Sequence, residues 1–269
     1  MRVLVSNDDG VDAPGIECLR ACASAVFDEV VVVAPATEMS GVGQSLTLHA
    51  PLRVQQRGDA VYAVTGTPVD CVLVALGYLM PDRKPDLVLS GINRGPNMGN
   101  DVHYSGTVAA AREGAIQGIP SIALSLAGHR VFPFEDVAPA VIELLRWVRD
   151  SRPALAGLVN VNIPVPSTGP QDASAPALGG VAGIRGVQVT RLGKRSYSNH
   201  IIFRDDPRGV PYLWIGGDFP QMEDLVGTDC NAVRDGFISV TPLGLDPTAP
   251  DAMAALRTIE SIGTTSPSE

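Results

Sequence analysis

Lysine is scarce: Lys84 and Lys194 are the only two in 269 residues. The other basic residues are arginines scattered along the chain, and 29 Asp plus Glu against 20 Lys plus Arg leave a formal net charge of −9. A protein that grips a nucleic-acid polymer gathers cations on one face to neutralise phosphates, so this balance argues against such a partner. Small anionic substrates stay compatible if a cation intervenes. The chain also lacks an apolar run of the roughly 18 to 20 residues that a bilayer-spanning helix needs. Met1-Arg2-Val3 leads directly into a strand-like pattern, without the apolar stretch of a secretory signal. These absences predict a cytoplasmic protein with no membrane partner.

Other chemistries are missing as well. The cysteines, at 18, 22, 71 and 230, form neither a C-x-x-C pair nor a dense disulfide framework, which suits a reducing compartment. Cys18 and Cys22 share a helical face and read as packing. The histidines, at 49, 103, 129 and 200, supply no H-x-x-x-H metal pair. There is no G-x-S-x-G nucleophile elbow and no phosphate-binding G-x-x-x-x-G-K-[ST] loop, since Gly193-Lys194 is followed by Arg195. Gly41-Val42-Gly43 begins a dinucleotide fingerprint, but Leu46 stands where its third glycine belongs.

What is present is ample apolar material, 45% of residues with a mean hydropathy of +0.16, arranged in alternation. Arg2 to Ser6 reads as a strand. An amphipathic segment follows with Ile16, Leu19, Ala23 and Val26 on one face, begun by Asp12 and Pro14, and the nearly continuous Val run Glu29 to Ala34 has the pattern of a strand covered on both sides. The alternation continues with helix-like Val69 to Met80, strand-like Asp86 to Ser90, helix-like Thr107 to Gln117 and strand-like Ser121 to Ser125. Helix Glu135 to Asp150 is expected to accommodate Pro139 in its first turn, and Leu158 to Ile163 reads as another strand. The result expected is an α/β fold with a doubly wound, mainly parallel sheet, whose ligands bind beyond the carboxyl ends of the strands.

Residues 1–163 would form this core and carry the site. The Pro, Gly, Ser and Ala cluster of 164–186 reads as a linker or crossover. Residues 187–226, with β-rich Val187 to Leu192, Ile201 to Phe203 and Tyr212 to Ile215 around the turn Asp206-Pro207-Arg208-Gly209, read as a β-hairpin extension. Residues 227–269 would return through strand Phe237 to Thr241 to the core and end in a helix over Asp251 to Ile262.

Three strand-following loops carry candidate chemistry. Asp8 and Asp9 come directly after the first strand; an Asp-Gly turn and a ligand site are both open readings. As a site, two adjacent carboxylates require a cation or a shared proton, and hard oxygen ligands suit Mg²⁺ or Mn²⁺ rather than zinc. The loop after the second strand places Ser40 beside Gly41, a hydroxyl next to backbone free to approach an anion. After the Asp86 to Ser90 strand, a Gly- and Asn-rich loop with Asn93, Asn97 and His103 leads into Ser105-Gly106-Thr107. There a helix N-terminus can offer N–H groups to phosphate, or Ser105 or Thr107 can simply cap the helix. His103 is the one histidine within these loops, and Arg191 either contacts substrate or solubilises a hairpin.

Taken together, Ser6-Asn7-Asp8-Asp9-Gly10, Ala13-Pro14-Gly15-Ile16, Ser40-Gly41, Gly66-Thr67-Pro68, Ser90-Gly91-Ile92-Asn93, Gly95-Pro96-Asn97, Tyr104-Ser105-Gly106-Thr107-Val108, Asn160-Val161-Asn162-Ile163-Pro164, Gly227-Thr228-Asp229 and Ser239-Val240-Thr241-Pro242-Leu243 resemble the SurE family of stationary-phase survival proteins across nearly the whole chain. The resemblance implies a metal-dependent nucleotidase acting on nucleoside 5′-monophosphates and on 3′-monophosphates. It implies one divalent cation per subunit held by Asp8, Asp9, Ser40 and Asn93, with Asn97, Ser105, Gly106 and Thr107 near the phosphoryl group and Gly41, His103 and Arg191 as possible substrate contacts. It also implies homodimers or homotetramers built by exchange of C-terminal elements, with the β-rich insertion as the exchanged arm. The expected reaction is attack of a metal-activated water on a phosphomonoester, with Asp8 or Asp9 orienting or deprotonating the water.

Two enzyme-like or signalling rivals fit less well. A response-regulator receiver needs a phosphorylatable Asp where Asn93 follows the strand and a Lys after Ser121 to Ser125, and neither is present. A haloacid-dehalogenase-type phosphatase needs two Asp residues two positions apart, whereas Gly10 and Val11 occupy those places. A non-catalytic nucleotide-binding or regulatory protein remains the third reading.

Overall fold

The computed structural model describes residues 1–128, 133–151, 157–166, 178–197, 200–216 and 220–257. In chain order the strands are β1 (Arg2–Ser6), β2 (Glu29–Pro35), β3 (Val54–Gly58), β4 (Val61–Val64), β5 (Leu87–Arg94), β6 (Ser121–Ala127), β7 (Leu158–Pro164), β8 (Gly186–Val189), β9 (Arg195–Ser196), β10 (His200–Asp205), β11 (Pro211–Gly216), β12 (Gln221–Met222) and β13 (Phe237–Leu243). The helices are α1 (Pro14–Ser24), α2 (Pro68–Val74), α3 (Gly106–Ile116), α4 (Phe134–Asp150), α5 (Asp229–Arg234) and α6 (Pro250–Leu256). Strand order in the main sheet is β3-β4-β2-β1-β5-β6-β7-β13-β8. The inner strands β4 to β7 run parallel, and β13 is antiparallel to β7.

Alternating side chains distribute the core over both faces of this sheet. Val3, Val5, Leu87, Leu89, Ile122 and Leu124 pack with α1 and α4. Leu4, Val31, Val33 and Val88 pack with α2 and Ala110 of α3. Helices on both faces explain why the inner strands are continuously apolar. Cys18 and Cys22 belong to the first of these layers: their thiols approach the carbonyls of Phe134 and Ala138 at 3.2 and 3.8 Å, joining α1 to α4. All four cysteines are buried and free.

Several local expectations are corrected. The helix after Thr67 keeps α geometry only to Val74, then loosens into a π turn, Ala75–Leu79. Pro14 does begin α1, but its N-cap is Ala13, which has no side-chain acceptor, and Asp12 does not serve as the cap. Pro139 is the sixth residue of α4, beyond the first turn; it is exposed, so water can satisfy the carbonyl it leaves without a helical donor. The boundary at 187 also moves. Gly186–Val189 is an edge strand of the main sheet, parallel to β13, because Thr190 N–H bonds the Val240 carbonyl and the Thr190 and Thr241 hydroxyls meet at 2.7 Å. Within 164–186, buried Val181 and Ile184 pack into the core rather than crossing over solvent. The rest of that segment, 167–177, and the expected helix beyond Arg257 lie outside the described residues.

The extension itself is a ribbon. Short β9 and β12 pair at its base, and β10 and β11 pair antiparallel beyond them. The expected turn closes the outer pair, with Val210 N–H and Arg208 N–H both donating to the Asp206 carboxylate.

Candidate active site

Strands β1, β2 and β5 end side by side, and the loops that leave them converge. Asp8 follows β1 and is buried, with 4% of its surface exposed. Its Oδ1 accepts a hydrogen bond from the Thr107 hydroxyl. Thr107 stands in the first turn of α3, whose N-cap is Ser105, with its Oγ accepting the Val108 N–H at 3.0 Å. Gly106 makes this approach possible: a Cβ there would lie 2.7 Å from Asp8 Cβ and 2.8 Å from Oδ2. The sequence at 105–107 thus combines a cap, a missing side chain and a hydroxyl to seat a helix N-terminus directly on a carboxylate. That geometry favours negative charge at the same place.

Asp9 faces the end of β5, where Arg94 N–H donates to its Oδ2 at 3.1 Å. Burial drives the Asp8 carboxyl up from 3.8 to about 6; the Thr107 hydroxyl opposes this and the neighbouring Asp9 charge adds to it. Burial also raises Asp9, opposed by the Arg94 backbone N–H and guanidinium and reinforced by Glu38. Glu38, absent from the sequence-based candidates, therefore acts electrostatically on Asp9. Only its position in a loop after β2 could have signalled this.

Met39 N–H donates to the Asp8 carbonyl at 2.7 Å, fastening the 36–43 loop to the β1 end. Ser40, next to that contact, is exposed, and its hydroxyl bonds Glu38 at 3.0 Å. Gly41 is exposed with φ +75° and open space around it, and Gly43 N–H donates to the Tyr104 carbonyl at 3.0 Å. Asn93, half-buried at the end of β5, donates through Nδ2 to the Gly95 carbonyl at 2.8 Å. The strand is irregular between Ser90 and Asn93. Gly91 is needed there, since its φ is +137° and a Cβ would sit 2.2 Å from the Leu124 carbonyl oxygen.

Asn97 is buried and held from three sides. Its N–H donates to Asn162 Oδ1 at 2.8 Å, its Nδ2 donates to Ser125 Oγ at 2.9 Å, and its carbonyl accepts from the amides of Asn160 and Asn162. The Asn-x-Asn of β7 is thus a cradle for the 95–98 loop, a role not read from the sequence. His103 and Tyr104 are exposed at the turn before α3. The Arg191 backbone pairs with Gly227 and Thr228, and its guanidinium reaches the Val226 carbonyl.

Among the described residues no group of three or more His, Cys, Asp or Glu has metal-holding geometry. A cation here would combine the Asp8 and Asp9 carboxylates with neutral oxygens. The two carboxylates, both raised by burial and one raised further by the other, fit a hard divalent cation, which would remove their mutual repulsion.

Fold and site together define a doubly wound α/β protein with an acidic pair at the strand ends, of which Asp8 meets a helix N-terminus. The family model described as Survival protein SurE matches residues 3–199. A relative from Paramagnetospirillum magneticum, named 5′-nucleotidase SurE, is 47% identical over 266 residues, covering 96% of this chain and 95% of that protein. One of the same name from Anaeromyxobacter sp. strain Fw109-5 is 44% identical over 259 residues, again covering 96% and 95%. The crystal structure of the Sure protein from Aquifex aeolicus superposes with a TM-score of 0.79 at 40% identity, covering 97% of this chain and all of that one. The chain belongs to the SurE family.

Proposed function

We propose that this protein is a metal-dependent phosphomonoesterase that hydrolyses nucleoside 5′-monophosphates, and 3′-monophosphates as a further substrate class, to nucleoside and phosphate. The observation that carries this reading is the buried Asp8, adjoining Asp9, held against the N-terminus of α3 by Thr107. The close kinship to proteins named 5′-nucleotidase supports it.

Asp8, Asp9, Asn93 and Ser40 would hold one Mg²⁺ or Mn²⁺. When bound, the cation supplies a nucleophilic water at neutral pH and offsets charge on a phosphoryl oxygen. The chain's residues do the rest. Asp9, less buried than Asp8 and open toward Glu38 and Arg94, accepts a proton from the attacking water or orients it. The N-terminal end of α3, with the Ser105–Thr107 segment, binds the non-bridging phosphoryl oxygens, whose charge it stabilises best as the bond to the leaving oxygen breaks. Asn97 acts through its position, holding the 95–98 loop against β7. Gly41 and His103 flank the opening on opposite loops.

The ribbon provides the assembly contact. Ile202 pairs across from Trp214 and Phe203 from Leu213, so both faces of a two-stranded element carry apolar side chains in water. Such a ribbon is marginal alone, and a second copy covering it gives a homodimer or homotetramer; Arg191, at its root, then faces the neighbouring subunit. No helix among the described residues is long and apolar enough to cross a membrane, and the free cysteines accord with a cytoplasmic enzyme.

The test is phosphate release from a panel of nucleoside 5′- and 3′-monophosphates with Mg²⁺, Mn²⁺ or EDTA, alongside Asp9→Asn. Metal-dependent release that the variant loses is the expected result. Absence of release from every substrate, by folded protein that still binds Mn²⁺, would replace the enzyme reading by a nucleotide-binding or regulatory one.

A further inference from the structure

The turn that delivers Ser105, Gly106 and Thr107 is itself held from outside the α/β core. Asp101, 9% exposed, lies in the 3₁₀ turn Gly99–His103. Its Oδ2 pairs with Arg195 Nη1 of β9, and its Oδ1 accepts the Tyr197 hydroxyl at 2.6 Å. The Arg195 guanidinium also stands 5.8 Å from the Tyr197 ring centroid, and Asn100 Nδ2 reaches the Arg195 carbonyl at 3.4 Å. One carboxylate is thereby gripped by two side chains from the root of the ribbon, 94 and 96 residues away in sequence.

The grip reaches the phosphate end of the site through one residue. The Asp101 carbonyl accepts both the Tyr104 N–H at 3.0 Å and the Ser105 N–H at 3.1 Å. Ser105 caps α3, and two residues on Thr107 bonds Asp8. Anchoring the Asp101 side chain fixes its backbone, and a shift of that backbone moves the cap and the helix start together. A buried carboxylate that lost its partners would turn toward water, because leaving it unpaired in place is costly.

We propose that Asp101, Arg195 and Tyr197 are positioning residues for the phosphate end of the active site, setting the place of Ser105, Gly106 and Thr107 without touching substrate. The inference rests on the phosphomonoesterase reading for its kinetic consequence, but its structural consequence is measurable without catalysis. Tyr197 is 52% exposed, so Tyr197→Phe deletes one hydroxyl without opening the core. Arg195→Lys keeps the charge but loses the planar fork that holds the carboxylate.

Amide hydrogen exchange is compared for peptides covering 103–109 and, as an internal control, β1, and kcat/KM for AMP is measured with Mn²⁺. In Tyr197→Phe we expect faster exchange in 103–109, unchanged exchange in β1, and kcat/KM lower by about tenfold, the order of loss that slight misplacement of binding groups produces. Arg195→Lys should give the same pattern, and inorganic phosphate should inhibit both variants more weakly than the parent. Unchanged exchange in 103–109 in both variants would overturn the proposal whether or not the protein hydrolyses AMP. Faster exchange with full kcat/KM would overturn it too, leaving the three residues a structural contact. If the parent hydrolyses nothing, the phosphomonoesterase reading fails by itself, and exchange together with phosphate binding by calorimetry decides the positioning role.

Discussion

Removing the charge of Asp8 should strengthen the metal-free fold while destroying activity. In the folded protein burial carries the Asp8 carboxyl from 3.8 to about 6. Well below pH 3.8 the group is protonated in both folded and unfolded chains and contributes no pH dependence. As pH rises from 4 to 6 the unfolded chain releases this proton while the folded one retains it, so the fold loses stability, and the loss is complete above the folded value. Two pH units at 1.36 kcal/mol each put the penalty at about 3 kcal/mol at neutral pH. Asp8→Asn keeps an oxygen to accept the Thr107 hydroxyl and carries no charge to desolvate. Denaturant unfolding in EDTA at pH 7.5 should therefore show the variant more stable than the parent by up to about 3 kcal/mol, or about 6 to 12 °C in Tm for a domain of this size. At pH 4 the gap should close. Added Mn²⁺ should stabilise the parent and leave the variant unmoved, since only a state that binds the ion gains by mass action. A variant less stable than the parent at pH 7.5 in EDTA, or a gap of equal size at both pH values, would refute the reasoning.

Three further outcomes follow from the same geometry. Thr107→Val deletes the donor that holds the Asp8 carboxyl down, so a carboxyl NMR titration of metal-free protein should find Asp8 losing its proton at higher pH than in the parent; a lower value would contradict the assignment. Gly106→Ala places a methyl against Asp8 Cβ and Oδ2, and kcat/KM for AMP should fall by about 100-fold with the circular dichroism spectrum retained, whereas parental activity would mean the contact is not required. Trp214→Lys inserts a charge into the apolar face it shares with Ile202, and light scattering should report a smaller species; an unchanged mass would move the interface elsewhere.

Much of the architecture was legible because it depends on short-range pattern. A strand buried on both faces must be apolar at consecutive positions, and the Val run of β2 has that pattern. The Asp8-Asp9 pair could be placed at a ligand-bearing edge because it directly follows a strand, and a cap could be read at Ser105 or Thr107 from residue type and place, of which the structure makes Ser105 the N-cap. Strand β8 is not legible as part of the main sheet because four residues, GVQV, carry no signal of their partner; only β13, 51 residues on, shows that they complete that sheet.

What the sequence alone determined is the set of groups available: two adjacent carboxylates, neutral oxygens on three loops, and a glycine between a cap and a hydroxyl. Tertiary structure decided which of them act on one another. It brought Thr107 onto Asp8 across 99 residues and seated Asn97 on Asn160 and Asn162. It closed Arg195 and Tyr197 on Asp101 and fixed Arg191 beside Thr228. These pairings depend on sheet order and on the desolvation that packing imposes, and neither quantity is a property of neighbouring residues in the chain.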